Sequence, residues 1–337
     1  MGRRATITGW GTYLPDRVLT NHDLEHMVET SDEWIVARTG IRERRLAAPT
    51  ETTTAMAAAA ARQALATAGL GPDQLDLVIV ATVTPDTLMP STASLLQAEL
   101  GASRAGAFDL AAACSGFVYA LAVGAQFIAA GTAQTVLVVG VDALTRWVDF
   151  SDRSTCVLFG DGAGAVVLQA TTADEGILST VLGSDGTGAW SLYIDGFREL
   201  LSANGATPPK RPYMRMKGSE VFRFSVRVLG EAALEAIQQA GLQPQDIDLF
   251  IPHQANLRII DAAAKRLGLP MEKVWVNIDR YGNTSAASVP ICLAEAADAG
   301  ALKPGMNVVL VAFGAGLAWA ASVVRWGWQG VPGREAG

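Results

Sequence analysis

ATAGLGPDQLDLVIV at 66–80 returns as QQAGLQPQDIDLFIP at 238–252, an offset of 172 residues that preserves Ala-Gly-Leu-x-Pro and the Asp-Leu opening the apolar run. The same offset carries TVLVVGVD, from Thr135, onto NVVLVAFG, from Asn307, so two separate units share one register and the chain reads as an internal duplication. The longer unit reads as an alanine-rich helix, a Gly-Leu C-cap, a Pro turn and then a β-branched run of the kind that forms strands buried on both faces. This predicts an α/β fold of two similar βαβ-rich halves packed about a pseudo-twofold axis. A junction near Thr171 gives an N-terminal half over 1–171 and a C-terminal half over 172–337. SLYIDGFRELLSANGATPPKRPYMRMKG at 191–218 has few periodic apolar positions and a Pro-Pro pair, and reads as an inserted lobe or loop.

A composition of 50% hydrophobic and 18% charged residues over 337 positions describes a well-cored globular chain, not a disordered one. A net charge of −7 argues against nucleic acid as a partner, while leaving room for a local basic patch that faces an acidic one. Cys114, Cys156 and Cys292 are too few and too scattered for a disulfide framework, and fit a reducing, cytoplasmic setting. The opening MGRRATITGWG lacks the apolar core of a secretory signal; MGRRAT fits the loose myristoylation pattern, but Ala5–Ile7 read better as a first strand. The longest apolar stretch, FVYALAVGAQFIAAG from Phe117, is shorter than the roughly 20 residues a membrane span needs and is expected as a buried core helix.

The reactive candidates cluster at the starts of helices. Cys114 lies in AFDLAAACSGFVYAL, where a strand ending near Leu110 gives way to the buried helix beginning near Ser115. Backbone N–H groups and the helix dipole are expected to favour thiolate there, lowering the thiol pKa and making a nucleophile. Cys156, in what reads as strand STCVLFG, and Cys292, in helix SVPICLAEAA, read as small core residues. His253 follows the strand IDLFIP, at the C-terminal end where parallel sheets present functional groups; a lone histidine is more often structural, but its polar Pro-His-Gln-Ala-Asn turn makes it a candidate catalytic group. Asn283, in YGNTSAASVP, lies close to position 286, which is 172 residues beyond Cys114; on its own residues Gly-Asn-Thr-Ser reads first as a helix cap, with Asn or Thr accepting a free N–H. His22 and His26 share a helix face but lack a third ligand, so no metal site is assigned. FGDGAGAVVL at 159–168 lacks a P-loop's Lys-Ser/Thr and reads as a turn between strands.

With Cys-Ser-Gly-Phe at 114–117, His-Gln-Ala-Asn at 253–256 and Gly-Asn-Thr-Ser-Ala-Ala-Ser at 282–288 in this order, the chain resembles the β-ketoacyl-acyl-carrier-protein (ACP) synthase III family over about residues 5–326. Ser-Asp-Glu-Trp-Ile at 31–35, Arg-Thr-Gly-Ile at 38–41, Asp-Arg-Ser at 152–154 and Phe-Gly-Ala-Gly at 313–316 extend the match. The resemblance implies a thiolase-like fold layered αβαβα and a homodimer. It also implies a ping-pong reaction: Cys114 takes an acyl group from acyl-CoA, and malonyl-ACP then loses CO₂ to an enolate held by His253 and Asn283. The backbone N–H groups of Cys114 and Ala315 would hold the tetrahedral oxyanion, and no cofactor is implied. By the same resemblance Thr30, Trp34, Arg38, Arg153, Ser219 and Asn256 bind CoA, with Trp34 and Arg153 against the adenine. Met89, donated across the dimer, joins Leu144, Leu158 and Phe313 in the acyl pocket, and Arg223, Arg258, Lys265 and Arg266 dock the acidic carrier protein.

Two departures bear on specificity. Ser219 stands where the family often has Asn in Gly-Asn-Glu-Val-Phe, which removes reach toward pantetheine, and Met89 is flexible enough to admit primers longer than acetyl. The alternatives are a polyketide starter-unit synthase and an acyl-CoA-dependent O- or N-acyltransferase in which histidine serves as general base.

Overall fold

The computed structural model describes residues 2–194 and 212–328, so 195–211 of the 191–218 segment lie outside the described residues. Among the described residues the strands run β1 (Arg4–Tyr13), β2 (Val18–Thr20), β3 (Glu43–Arg45), β4 (Leu77–Ala81), β5 (Gly106–Leu110), β6 (Thr135–Ala143), β7 (Asp161–Thr171), β8 (Gly176–Ser184), β9 (Leu192–Ile194), β10 (Met214–Met216), β11 (Leu249–Pro252), β12 (Asn307–Gly314) and β13 (Ala318–Arg325). Two sheets dominate, ordered β1-β7-β6-β4-β5 and β8-β13-β12-β11. Read from the β1 or β8 edge, both go antiparallel, antiparallel, parallel. In the first, β5 adds a further parallel pairing; its counterpart in the second is a single parallel bridge between Phe250 and Val274.

The 172-residue offset is visible in the elements themselves. It separates the first residues of β1 and β8, of β4 and β11, of β6 and β12, and of the helices Gly116–Ala129 and Ser288–Asp298. Those two helices lie between the sheets. Val136 and Val138 of β6 and Val308 and Leu310 of β12 pack in one core with Phe117, Leu121, Val289 and Leu293. The intervening strand positions face outward: Leu137 and Val139 pack toward the alanine-rich helix Thr53–Ala68, and Val309 and Val311 toward the helices Gly218–Gln239 and Leu257–Leu267. Both faces of each central strand are therefore covered, which explains their uninterrupted apolar runs and gives five layers, αβαβα.

Two local expectations are overturned. FGDGAGAVVL is not a turn, because β7 starts at Asp161 and its first eight residues are buried. Its glycines make room for the helix above: a Cβ on Gly164 would stand 2.7 Å from Pro290 Cβ, closer than real side chains approach. Cys156 ends a one-turn helix, Arg153–Cys156, capped by Asp152, and is not in a strand. Among the described residues no helix is long and apolar enough to cross a membrane.

Candidate active site

The duplication brings two sharp elbows together. After β5 the chain passes through Ala113 (φ 46°) into the turn Ala113–Ser115 and the helix from Gly116; 172 residues on, it passes through Ser285 (φ 53°) into Ser285–Ala287 and the helix from Ser288. Neither Ala113 nor Ser285 is glycine, so each carries left-handed backbone strain that the surrounding packing must hold. The elbows touch each other between the sheets. Cys114, on the first, is 6% exposed.

The end of β12 lies against the first elbow so closely that a Cβ on Gly314 would fall 2.6 Å from Cys114 N and 3.1 Å from Ala113 Cβ. Position 142 is the 172-offset equivalent of Gly314 and carries a carboxylate. Asp142, 0% exposed, accepts from Thr82 Oγ1 (3.0 Å), Val83 N (2.9 Å), Thr84 Oγ1 (2.9 Å) and, across to the second elbow, Ala286 N (3.2 Å). Ala286 N is the equivalent of Cys114 N. A carboxylate oxygen thus sits on the N–H of one elbow, and at the other glycine leaves the matching space without a side chain.

His253 follows β11, its N–H donating to Val311 O at 2.7 Å. The ring is buried, with Nδ1 2.5 Å from Ser288 Oγ, and meets Phe313 edge-on (5.4 Å, 71°). Nε2 is buried without a hydrogen-bond partner. Asn283 is tied in by its backbone, its N–H donating to Leu158 O (2.9 Å) and its C=O accepting from Gly160 N (3.0 Å). Its Oδ1 accepts from Ser285 N (2.9 Å), so the capping expectation holds for the oxygen while Nδ2 remains for the cavity. Cys114, His253 and Asn283 line one cavity of about 90 Å³. A second cavity of about 250 Å³ shares Cys114, Phe159 and Leu192 with it, and is lined by Val83, Leu144, Ile194, Met214, Ser285 and Ala315 among others.

Burial sets the protonation states. It pushes the Cys114 thiol up to about 12, a shift the Ser285 hydroxyl opposes, and drives His253 down to about 3. The expected thiolate is therefore corrected: the helix proper begins only at Gly116, and desolvation of the sulfur outweighs the helix end. Thiol and imidazole are both neutral in the resting protein. Neutral His253 in the fold, against 6.5 for the free group, means the unfolded chain binds the extra proton below pH 6.5, so stability falls as pH drops from 6.5 toward 3. Cys114 acts oppositely, with stability lost as pH rises from 9 toward 12. In thermal midpoints followed against pH, we expect His253→Ala to flatten the acid limb and Cys114→Ala the alkaline limb; unchanged slopes would contradict these states.

The remaining candidates divide. Arg153 and Arg38 both lie over the Trp34 ring, at 5.0 and 5.5 Å, with Arg153 Nη1 donating to Glu29 O (2.8 Å), and Thr30 Oγ1 is buried without a partner. Asn256 caps the helix Leu257–Leu267 and donates from Nδ2 to Arg38 O (2.9 Å), joining this cluster to the cavity that Asn256 lines. Ser219 is exposed in the first turn of its helix. Leu144 lines the larger cavity, but Leu158 and Phe313 line the smaller one with His253, which differs from the acyl-pocket expectation. Met89 lines neither and is 86% exposed beside Leu88 at 74%. Of the basic residues, Lys265 pairs with Asp261 (2.6 Å) and Arg266 with Glu231 (3.0 Å), whereas Arg223 and Arg258 are exposed, with Arg258 over Phe222 at 5.2 Å. The small residues at 314–316 were readable as a close backbone approach, and Gly314 makes one; sequence reasoning missed Asp142, Ser285 and Ser288, though applying the 172-residue offset to the elbows would have paired 142 with 314 and 113 with 285.

A duplicated αβαβα fold closing two elbows over a buried thiol, a histidine and an asparagine defines a thiolase-type condensing enzyme, an acyltransferase. Family models described as 3-oxoacyl-[ACP] synthase III and its C-terminal part match residues 108–186 and 237–326. A β-ketoacyl-[ACP] synthase III of Symbiobacterium thermophilum is 56% identical over 326 residues, 96% of this chain and 99% of the relative; one of Roseiflexus sp. is 54% identical over 327, covering 97% and 99%. Among solved structures, the synthase III of Thermus thermophilus superposes with a TM-score of 0.90 at 52% identity, covering 96% of this chain and all of that one. The priming β-ketosynthase of the R1128 polyketide pathway gives 0.92 at 40%, covering 97% of each chain. The chain belongs to the β-ketoacyl-[acyl-carrier-protein] synthase III family.

Proposed function

We propose that the protein condenses an acyl-CoA primer with malonyl-ACP to 3-oxoacyl-ACP, the step that initiates fatty-acid synthesis. The carrying observation is the buried thiol that shares one cavity with the unpartnered Nε2 of His253 and the amide of Asn283. Cys114 Sγ attacks the thioester carbonyl, CoA leaves as the thiol with the proton Cys114 gives up, and an acyl-cysteine remains. Malonyl-ACP then loses CO₂; the two electrons of the broken C–C bond form an enolate whose oxygen takes hydrogen bonds from His253 Nε2–H and Asn283 Nδ2–H. The enolate carbon attacks the acyl-cysteine. Cys114 N–H and Ala315 N–H stabilise the oxyanion, and its collapse frees the sulfur, which regains a proton. The Asp142 carboxyl on Ala286 N supports the oxyanion role, because the equivalent N–H in the other half already donates to an oxygen placed at that spot.

The acyl chain is assigned to the apolar 250 Å³ cavity, and CoA to the Trp34, Arg38, Arg153 and Thr30 surface, where a purine would displace or join the guanidinium stack. Arg223 and Arg258 are assigned to the carrier protein, with Lys265 and Arg266 as a paired rim. The assembly is a cytoplasmic homodimer that uses no cofactor, its exposed Leu88–Met89 segment reaching the partner's acyl pocket. A polyketide starter role is the second reading, favoured by the likeness to the R1128 enzyme at 40% identity; synthase III relatives span 37–56%, many of them at 50% or more. Asn283→Ala is expected to acylate Cys114 within about threefold of the unaltered protein yet lose malonyl-ACP decarboxylation by about 10²- to 10³-fold. Equal loss of both half-reactions, measured by intact mass and CO₂ release, would count against the assignment.

A further inference from the structure

The hydroxyl of Ser288 stands behind the His253 ring, and hydrogen-bond accounting fixes what it does there. Ser288 is 2% exposed, at the first turn of the helix Ser288–Asp298, and its Oγ lies 2.5 Å from His253 Nδ1. The same Oγ accepts a longer contact, 3.4 Å, from Gln254 N. Gln254 is itself locked: Nε2 donates to Pro252 O (2.8 Å) and Trp275 O (3.2 Å), and Oε1 accepts from Asn277 N and Ile278 N. No other partner for the Ser288 hydroxyl occurs among the described residues.

A hydroxyl has one proton and two lone pairs. If His253 carried its proton on Nδ1 and donated to Ser288, both lone pairs would be filled by donors, and the Ser288 O–H would be buried with no acceptor. Nε2 would also be a bare buried acceptor, so two groups would be orphaned. If Ser288 O–H donates to Nδ1, its proton is placed while a lone pair still accepts from Gln254 N, and one orphan N–H remains, on Nε2, directed at the cavity that holds Cys114 and Asn283. Burying an unpaired polar group is costly, so the arrangement that leaves one and not two prevails. We propose that Ser288 is a positioning residue that holds His253 in the neutral Nε2–H tautomer, making it a hydrogen-bond donor to the substrate oxygen and not a base toward Cys114. This rests on the proposed condensation for what His253 donates to, but the tautomer itself is a property of the resting protein. It also separates the condensing reading from acyl transfer by general base, which needs a lone pair on Nε2.

The chain has three histidines, so selective ¹⁵N-histidine labelling gives a spectrum in which His253 is identified by its persistence in a His22→Gln/His26→Gln variant. At neutral pH we expect His253 as the Nε2–H tautomer. An Nδ1–H tautomer or an imidazolium overturns the proposal, and this is decided without altering Ser288. Ser288→Ala is expected to populate the Nδ1–H form, lowering malonyl-ACP decarboxylation about 10- to 100-fold while Cys114 acylation stays within about threefold. Ser288→Thr, which keeps the hydroxyl, is expected to restore the Nε2–H signal. Ser288→Ala with the tautomer and decarboxylation both unchanged would also overturn the proposal. An Nε2–H signal in a protein that never decarboxylates malonyl-ACP would sink the condensation reading and leave the tautomer standing.

Discussion

Cys114→Ser is expected to slow acylation by acyl-CoA by about 10⁴-fold or more while leaving the fold intact. Serine keeps the size of the side chain, so the elbow at Ala113 and the contact with Gly314 are undisturbed. The chemistry is not kept, because an alkoxide is much harder to form than a thiolate and no base is available to help. His253 is driven down to about 3 by burial, too weak a base for an alcohol. Intact mass after incubation with acyl-CoA would show no adduct on Cys114→Ser. An oxyester adduct forming at a rate near that of the unaltered protein would mean that a base acts on this position.

The second large effect is on stability. Asp142→Ala is expected to destabilise the fold by about 3–5 kcal/mol, lowering the thermal midpoint by roughly 4–7 °C. The carboxylate takes hydrogen bonds from two hydroxyls and two backbone N–H groups, and none of these donors gains a replacement when it is removed. One of the four is Ala286 N, so the second elbow loosens, and with it Asn283, whose amide is held by Ser285 N. Decarboxylation is therefore expected to fall further than acylation in the surviving folded fraction. Urea unfolding monitored by tryptophan fluorescence measures the change; a loss below about 1 kcal/mol would show that the donors are satisfied some other way.

The duplication was legible because it is written in three properties that packing cannot scramble: alanine spacing, the Gly-Leu-x-Pro stop and the two-face apolar runs. What those patterns do not record is which glycines serve turns and which serve close approach. Hence FGDGAGAVVL, whose Gly164 seats Pro290, reads as a turn and is a strand. The location of Cys114 at an elbow was readable, but its ionisation was not, because the helix dipole is a local feature of sequence whereas burial of the sulfur depends on residues up to 200 positions away, such as Gly314. Asn283 shows the limit of weighing a cap against a catalytic group: its oxygen caps Ser285 and its nitrogen is left for the cavity. The Trp34–Arg153 cluster had no periodic or spacing signal and was readable only through family likeness, although both guanidiniums do gather on that indole.

The central claim is that one sulfur serves two half-reactions, with His253 and Asn283 acting only in the second. It is tested most directly by isolating the acylated protein, adding malonyl-ACP and following intact mass and released CO₂ in the same sample. The adduct on Cys114 is expected to disappear with one CO₂ evolved and one 3-oxoacyl-ACP formed per acyl group. An adduct that survives malonyl-ACP, or leaves to an alcohol or amine without CO₂, would contradict it.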